Sequence, residues 1–173
     1  MKPIPKPTPD EYAPYAAMYV DLVPGDGDIL QHLTDNFKDI QQLVSTLSET
    51  QLLHRYAPGK WTIKEVLVHM VDDERIYAYR AMCFARGEQQ ALPGFEQEDY
   101  AVNSGANERS LESIMEEYEA VRRSTIALFN SLTDEALARW GNANGYMCTV
   151  RGLLYHLAGH ELHHLNLLKS RYL

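Results

Sequence analysis

The sequence predicts an all-α fold, a four-helix bundle preceded by a Pro-rich N-terminal arm. Three observations carry this. Four long segments repeat apolar residues near a 3.6-residue period. Capping and turn signals separate them. No stretch of useful length alternates with the period of two expected of a strand. Four long helices with short connecting pieces form a bundle.

Residues 1–25 form the arm and residues 26–173 the bundle. Six of the eight prolines lie in the first 24 residues, so the start of the arm is extended, in polyproline-like geometry. Tyr12, Tyr15, Met18, Tyr19, Val20 and Leu22 make its later part too apolar for a free tail. That part is expected to pack along the domain surface or on a partner subunit. The first long helix spans about Asp28 to Leu47, with Ile29, Leu30, Leu33, Phe37, Ile40, Val44 and Leu47 on its period. Ser48-Glu49-Thr50-Gln51 is a capping box that opens a short turn of helix. After the Ala57-Pro58-Gly59-Lys60 break, Thr62-Ile63-Lys64-Glu65 is a second box. It starts the second long helix, which ends near Arg86-Gly87. Residues 88–109 read as a polar loop, of a length that usually signals function or mobility. The third long helix covers about Ser110 to Leu132. Thr133-Asp134-Glu135 caps a short helix ending at Gly141. Asn142-Ala143-Asn144-Gly145 is a tight turn. Thr149 caps the last helix, which runs to about Ser170.

At 173 residues the chain fits one domain with a buried core. The net charge of −8 argues against general nucleic-acid or anionic-membrane binding, which need basic surface. No apolar run approaches the length of a membrane span, and no signal pattern opens the chain. Cys83 and Cys148 lack CxxC spacing and read as reduced thiols of a cytoplasmic protein. Cys148 reads as a small hydrophobe rather than an activated thiol.

Four of the seven histidines lie in His156-Leu157-Ala158-Gly159-His160-Glu161-Leu162-His163-His164. Residues three or four apart share a helix face, and imidazole is a common ligand for zinc, nickel, copper and iron. With His156 at zero, His160 falls near ~40° and His164 near ~80°, amid Leu167, Leu153 and Leu157 at ~20°, ~60° and ~100°. His160 and His164 are therefore the inward pair. His163, near ~−20°, joins His156 as a flanking group, behind a ligand or at the rim. Burying two imidazoles without partners costs several kcal/mol, which a metal removes. A pair supplies only two ligands.

The second long helix offers a third, His69, one turn before Asp73. In the same helix Glu74 falls in the centre of the apolar stripe. A carboxylate there needs a cation, a metal or an imidazole N–H. Glu74 is thus a candidate partner of a ligand or a general base, set against a structural salt bridge to an arginine. His32 and His54 read as surface or packing residues. Tyr77 and Phe84 read as core. Glu116-Glu117-Tyr118-Glu119 with Arg122-Arg123 reads as a solvated helix face. No phosphate-binding glycine loop or serine nucleophile elbow is present.

Pro58-Gly59-Lys60-Trp61-Thr62-Ile63-Lys64-Glu65-Val66-Leu67-Val68-His69, followed by Asp72-Asp73-Glu74, resembles the first signature of the DinB/YfiT-like superfamily. His160-Glu161-Leu162-His163-His164 resembles its second. The two lie about 90 residues apart on the second and last long helices, and the resemblance covers roughly residues 26 to 170. It implies up-down-down-up connectivity and a divalent metal, zinc or nickel, held by three histidines with open positions for water. The matching positions are His69, His160 and His164. It also implies a homodimer and a small-molecule substrate. Its enzymes include S-transferases that use a low-molecular-weight thiol, and metal-dependent hydrolases. The first of these is the leading expectation, with hydrolysis as the alternative. A bundle with a structural or sensing metal is the non-catalytic one, and a fourth protein ligand from His156, His163, Glu74 or Asp73 would favour it.

Overall fold

A computed structural model describes residues 1–173. Four long helices dominate it. They are α2 (Ile29–Ser45), α4 (Ile63–Ala85), α6 (Leu111–Ser131) and α8 (Val150–Leu167). Short helix α1 (Ala17–Val20) precedes them, and α3 (Glu49–Leu52), α5 (Gln97–Asn103) and α7 (Asp134–Leu137) lie in the connections. The boundaries follow the caps. The Thr62 hydroxyl accepts from Glu65 N–H at 3.1 Å, while the Glu65 carboxylate accepts from Thr62 N–H at 2.7 Å. Ser48, Ser110, Thr133 and Thr149 each accept a bond from the third residue onward. Such caps stabilise a helix start by roughly 1 kcal/mol each.

Around the bundle the order is α2, α6, α4, α8, so α2 lies diagonal to α4 and α6 to α8, while the consecutive pair α4 and α6 are neighbours. Side-chain contacts give the directions. Arg122 on α6 meets the Leu33 carbonyl on α2, and Tyr118 meets Phe37, so these two helices run antiparallel. Lys64 at the start of α4 bonds the Arg109 carbonyl just before α6, so this pair is parallel. His69 near the start of α4 meets His160 late in α8, an antiparallel pair. The connectivity is up-down-down-up. No helix is long and apolar enough to cross a membrane.

The core is two apolar clusters separated by a polar waist. Leu33, Tyr77, Phe129 and Leu157 belong to one, and Phe37, Val71, Tyr118 and Leu165 to the other. On every long helix the change from one cluster to the other falls at buried polar residues. These are Asn36 on α2, Asp73 and Glu74 on α4, Arg122 and Thr125 on α6, and His160 and Glu161 on α8. A layer of this kind costs desolvation energy, so its contents identify the place to look for chemistry.

Three features differ from the sequence reading. The arm is part of the core: Ile4, Ala16, Val20 and Val23 are buried in the first cluster. It is pinned by the Tyr155 hydroxyl on the Ile4 carbonyl at 2.8 Å and by Arg151 on Glu11 at 2.7 Å. Secondly, residues 140–149 form a small hairpin, β1 (Trp140–Ala143) with β2 (Tyr146–Thr149). Asn144 and Gly145 turn it with φ of 54° and 82°, the two-residue turn that Asn-Gly favours. Strands of four residues are too short for alternation to be read. Thirdly, the 88–109 loop contains α5, and its Leu92 bridges to Ala143 in the hairpin.

Candidate metal centre

His69 comes from α4, and His160 and His164 from one face of α8. His69 Nε2 lies 3.0 Å from His160 Nε2, and His164 Nε2 lies 3.1 Å from it. All three rings are buried, and one ligand atom from each falls within 4.8 Å of the others. The structure thus brings together the three histidines singled out in the sequence. Zinc–nitrogen bonds of ~2.0–2.1 Å in tetrahedral geometry set nitrogens about 3.3 Å apart, close to the spacing found.

The surroundings hold the rings neutral. Burial pushes His69 down to about 4 and His164 down to about 3. Burial, reinforced by the neighbouring imidazoles, pushes His160 well below the ordinary histidine range. A neutral imidazole carries only one N–H. Two contacts that converge on a single His160 Nε2 cannot both be well satisfied by protons in a buried site. His164 Nδ1 also has no hydrogen-bond partner. Three uncharged nitrogen donors, converging and poorly satisfied by one another, fit a divalent cation.

Asp73, one turn after His69, supports the set. Its Oδ2 lies 3.3 Å from His160 Nδ1, within ion-pair distance, and makes no hydrogen bond. Burial pushes this carboxyl up to about 8, opposed by Arg80. A carboxylate behind a ligating imidazole fixes its tautomer and orientation.

Glu74, a sequence candidate for a partner of a ligand or a general base, with a salt bridge as the competing reading, is engaged elsewhere. Both its oxygens accept from Arg122, at 2.8 to 3.2 Å. Arg122 also donates to Glu161 at 2.5 Å, and the Tyr118 hydroxyl donates to that same Glu161 oxygen at 2.5 Å. The structural salt bridge is the correct reading of Glu74. Arg122 in turn is not on a solvated face, because it is the cation that the two buried carboxylates require. Polar neighbours in sequence disguised it. His156 is not at the rim either: it is buried and stacked on Tyr77, with ring centroids 4.1 Å apart. His163 remains half-buried at the edge of the Tyr19 ring, centroids 5.4 Å apart. His32 pairs with Asp26 at 2.9 Å. Burial pushes the Cys148 thiol up to about 11, consistent with a packing role.

The arm and the 88–109 segment complete the site. Tyr19 sets its ring edge-on to His160, centroids 5.3 Å apart, and also meets His156. A cleft of about 320 Å³ reaches His160 and Asp73, walled by Tyr15 and Tyr19 of the arm and by Phe95, Glu96 and Gln97 before and within α5. A second, of about 190 Å³, reaches His164 beside Trp61 and Tyr172. Neither tyrosine was selected from the sequence. The apolar character of the arm was the only signal pointing to them.

The model of the DinB superfamily matches residues 32–168. The chain belongs to the DinB superfamily. YfiT from Bacillus subtilis has the same fold, with a TM-score of 0.78 over 86% of this chain and 87% of that one, at 18% identity. It is described as having an unusual four-helix bundle topology and, provisionally, as a metal-dependent hydrolase. A protein of Oceanobacillus iheyensis, whose name carries the same provisional assignment, is 29% identical over 127 residues, 72% of each chain. In this DinB chain His69, Asp73, His160 and His164 meet at the polar waist.

Proposed function

We propose that this DinB protein is a metal-dependent hydrolase holding a divalent cation, zinc or nickel, through His69, His160 and His164. The observation that carries the reading is the convergence of three buried, uncharged Nε2 atoms beside an accessible cleft, with no fourth protein ligand among them. Structural zinc sites are usually closed by four ligands, whereas catalytic ones keep a position open. A metal so held would supply Lewis acidity, making water or a thiol a competent nucleophile near neutral pH.

The chain's own residues bind, orient and exclude. Asp73 holds the His160 ring with Nε2 toward its partners. Tyr19 and Trp61 shield the imidazoles, with the Trp61 and His69 centroids 4.6 Å apart. The substrate is a small molecule, since the cleft of about 320 Å³ is of the size that ligand sites have. A homodimer and a cytoplasmic location belong to the same proposal.

Hydrolysis leads because the similar proteins from the two bacilli carry that description. Transfer to a low-molecular-weight thiol is the second reading, favoured by a neutral three-nitrogen donor set that leaves a bound metal able to take a thiolate. The reactions separate by thiol dependence. Metal-loaded protein is expected to turn over members of an ester and amide panel without thiol, and His160→Ala to lose this. Turnover of a model electrophile only with added thiol would replace hydrolysis by transfer.

A further inference from the structure

Arg80, on α4 two turns beyond Asp73, is a buried cation without a counter-ion. It is 3% exposed, yet no carboxylate lies within 4.0 Å of it. Its only hydrogen bond runs from Nη2 to the Pro93 carbonyl at 2.7 Å. The other arginines that pair with carboxylates show what is missing. Arg122 faces Glu74 and Glu161, Arg151 faces Glu11, and Arg75 and Arg109 share Glu117. Leaving a guanidinium desolvated and unpaired is costly, and it persists where the missing partner arrives from outside.

The position of Arg80 says what that partner meets. Its guanidinium lies over the Tyr77 ring, 5.1 Å from the centroid. It lines the same cleft as His160 and Asp73. It also lines an adjoining groove of about 270 Å³ walled by Ile76, Tyr79, Leu92, Phe95 and Tyr100. Asp73, two turns back in α4, lies beyond 4.0 Å from Arg80, with its Oδ2 3.3 Å from His160 Nδ1. A planar fork of N–H donors with one edge free matches a carboxylate bidentately.

We infer that Arg80 is a substrate-positioning residue that binds the carboxylate of an organic acid, whose apolar part lies in the Ile76–Tyr100 groove and whose reacting group points to the histidine centre. The substrate class is then a monocarboxylate bearing a hydrolysable or thiol-reactive group. This rests on the reading of the centre as catalytic, but the recognition step is testable without catalysis.

Metal-free protein is titrated with acetate, butyrate and phenylacetate, with the neutral phenylacetamide, and with inorganic phosphate. The readout is the ¹⁵N shift of the Arg80 Nε together with the dissociation constant. Saturable binding that strengthens from acetate to phenylacetate is expected. Phenylacetamide and Arg80→Gln should each weaken it at least about tenfold, the scale of a lost charge-assisted bond. Arg80→Lys keeps the charge and serves as the folding control, with partial retention expected. Saturable carboxylate binding by protein that takes up no zinc would leave the inference standing while the metal reading fails, which separates the two. No saturable carboxylate binding, equal binding of the amide, preference for phosphate, or binding unchanged in a folded Arg80→Gln would each overturn the inference.

Discussion

Asp73 Oδ2 stands 3.3 Å from Nδ1 of His160, on the side of the ring opposite the Nε2 that faces His69 and His164. The carboxylate and the three imidazoles therefore form one unit, and Asp73 acts on a bound cation only through His160. Asp73→Asn is expected to weaken metal affinity by roughly 10- to 100-fold, the usual scale for such a partner, with helicity retained. Competition against a chromophoric chelator measures it.

Metal loading should also move a proton. Burial pushes the Asp73 carboxyl up to about 8 in the metal-free protein, and a cation on the histidines favours its ionised form. Calorimetric titration of zinc in buffers of differing ionisation enthalpy near pH 7 is therefore expected to show release of roughly one proton per metal. Asp73→Asn should abolish it.

Acid should destabilise the metal-free protein. Unfolded histidines take protons near pH 6.5, while burial holds folded His69 down to about 4 and His156 and His164 down to about 3. The unfolded state binds more protons in this window, so stability is present above about pH 6.5 and is lost as pH falls toward 4. Asp72, Asp73 and Glu161 work in the other direction, because burial raises each of them, but the four lowered imidazoles, His160 included, outweigh them. Urea midpoints measured from pH 7 to 4.5 should fall steadily.

Most of the bundle was legible. The Ser48, Thr62, Ser110, Thr133 and Thr149 caps and the apolar period placed the helices within a few residues, because those signals are local. The same period placed Glu74 in the core and His160 and His164 on the inward face. What it could not show was pairing across helices. Arg122 looked solvated because its sequence neighbours are charged, while its partners Glu74 and Glu161 lie 48 and 39 residues away. The Tyr19 ring reaches the site only through the packed arm, and the walls of the cleft beside Arg80 come from the segment that leads into α5; neither stretch has a periodic signal of its own.

The Arg122 network should be expensive to break. Arg122→Ala leaves Glu74 and Glu161 buried without a cation, and loss of one partner of such a pair costs about 3–5 kcal/mol. Replacing Arg122, Glu74 and Glu161 together by apolar residues of similar volume should recover much of that loss. Chemical denaturation of the two variants tests the contrast.

The arm depends on two glycines of α8. A Cβ at Gly159 would stand 2.1 Å from the Tyr19 carbonyl oxygen, and one at Gly152 would stand 2.3 Å from that of Glu11. Gly159→Ala must push the arm off the helix, costing on the order of 1–3 kcal/mol. Faster proteolysis within residues 1–25 is the expected sign, with helix content unchanged.

The central claim is that His69, His160 and His164 together hold one divalent metal, and elemental analysis of the purified protein tests it most directly. Wild type is expected to carry close to one zinc or nickel per chain, with the metal gone from folded His69→Ala, His160→Ala and His164→Ala. Wild-type protein that takes up no metal even after reconstitution, or variants that keep it, would contradict the account.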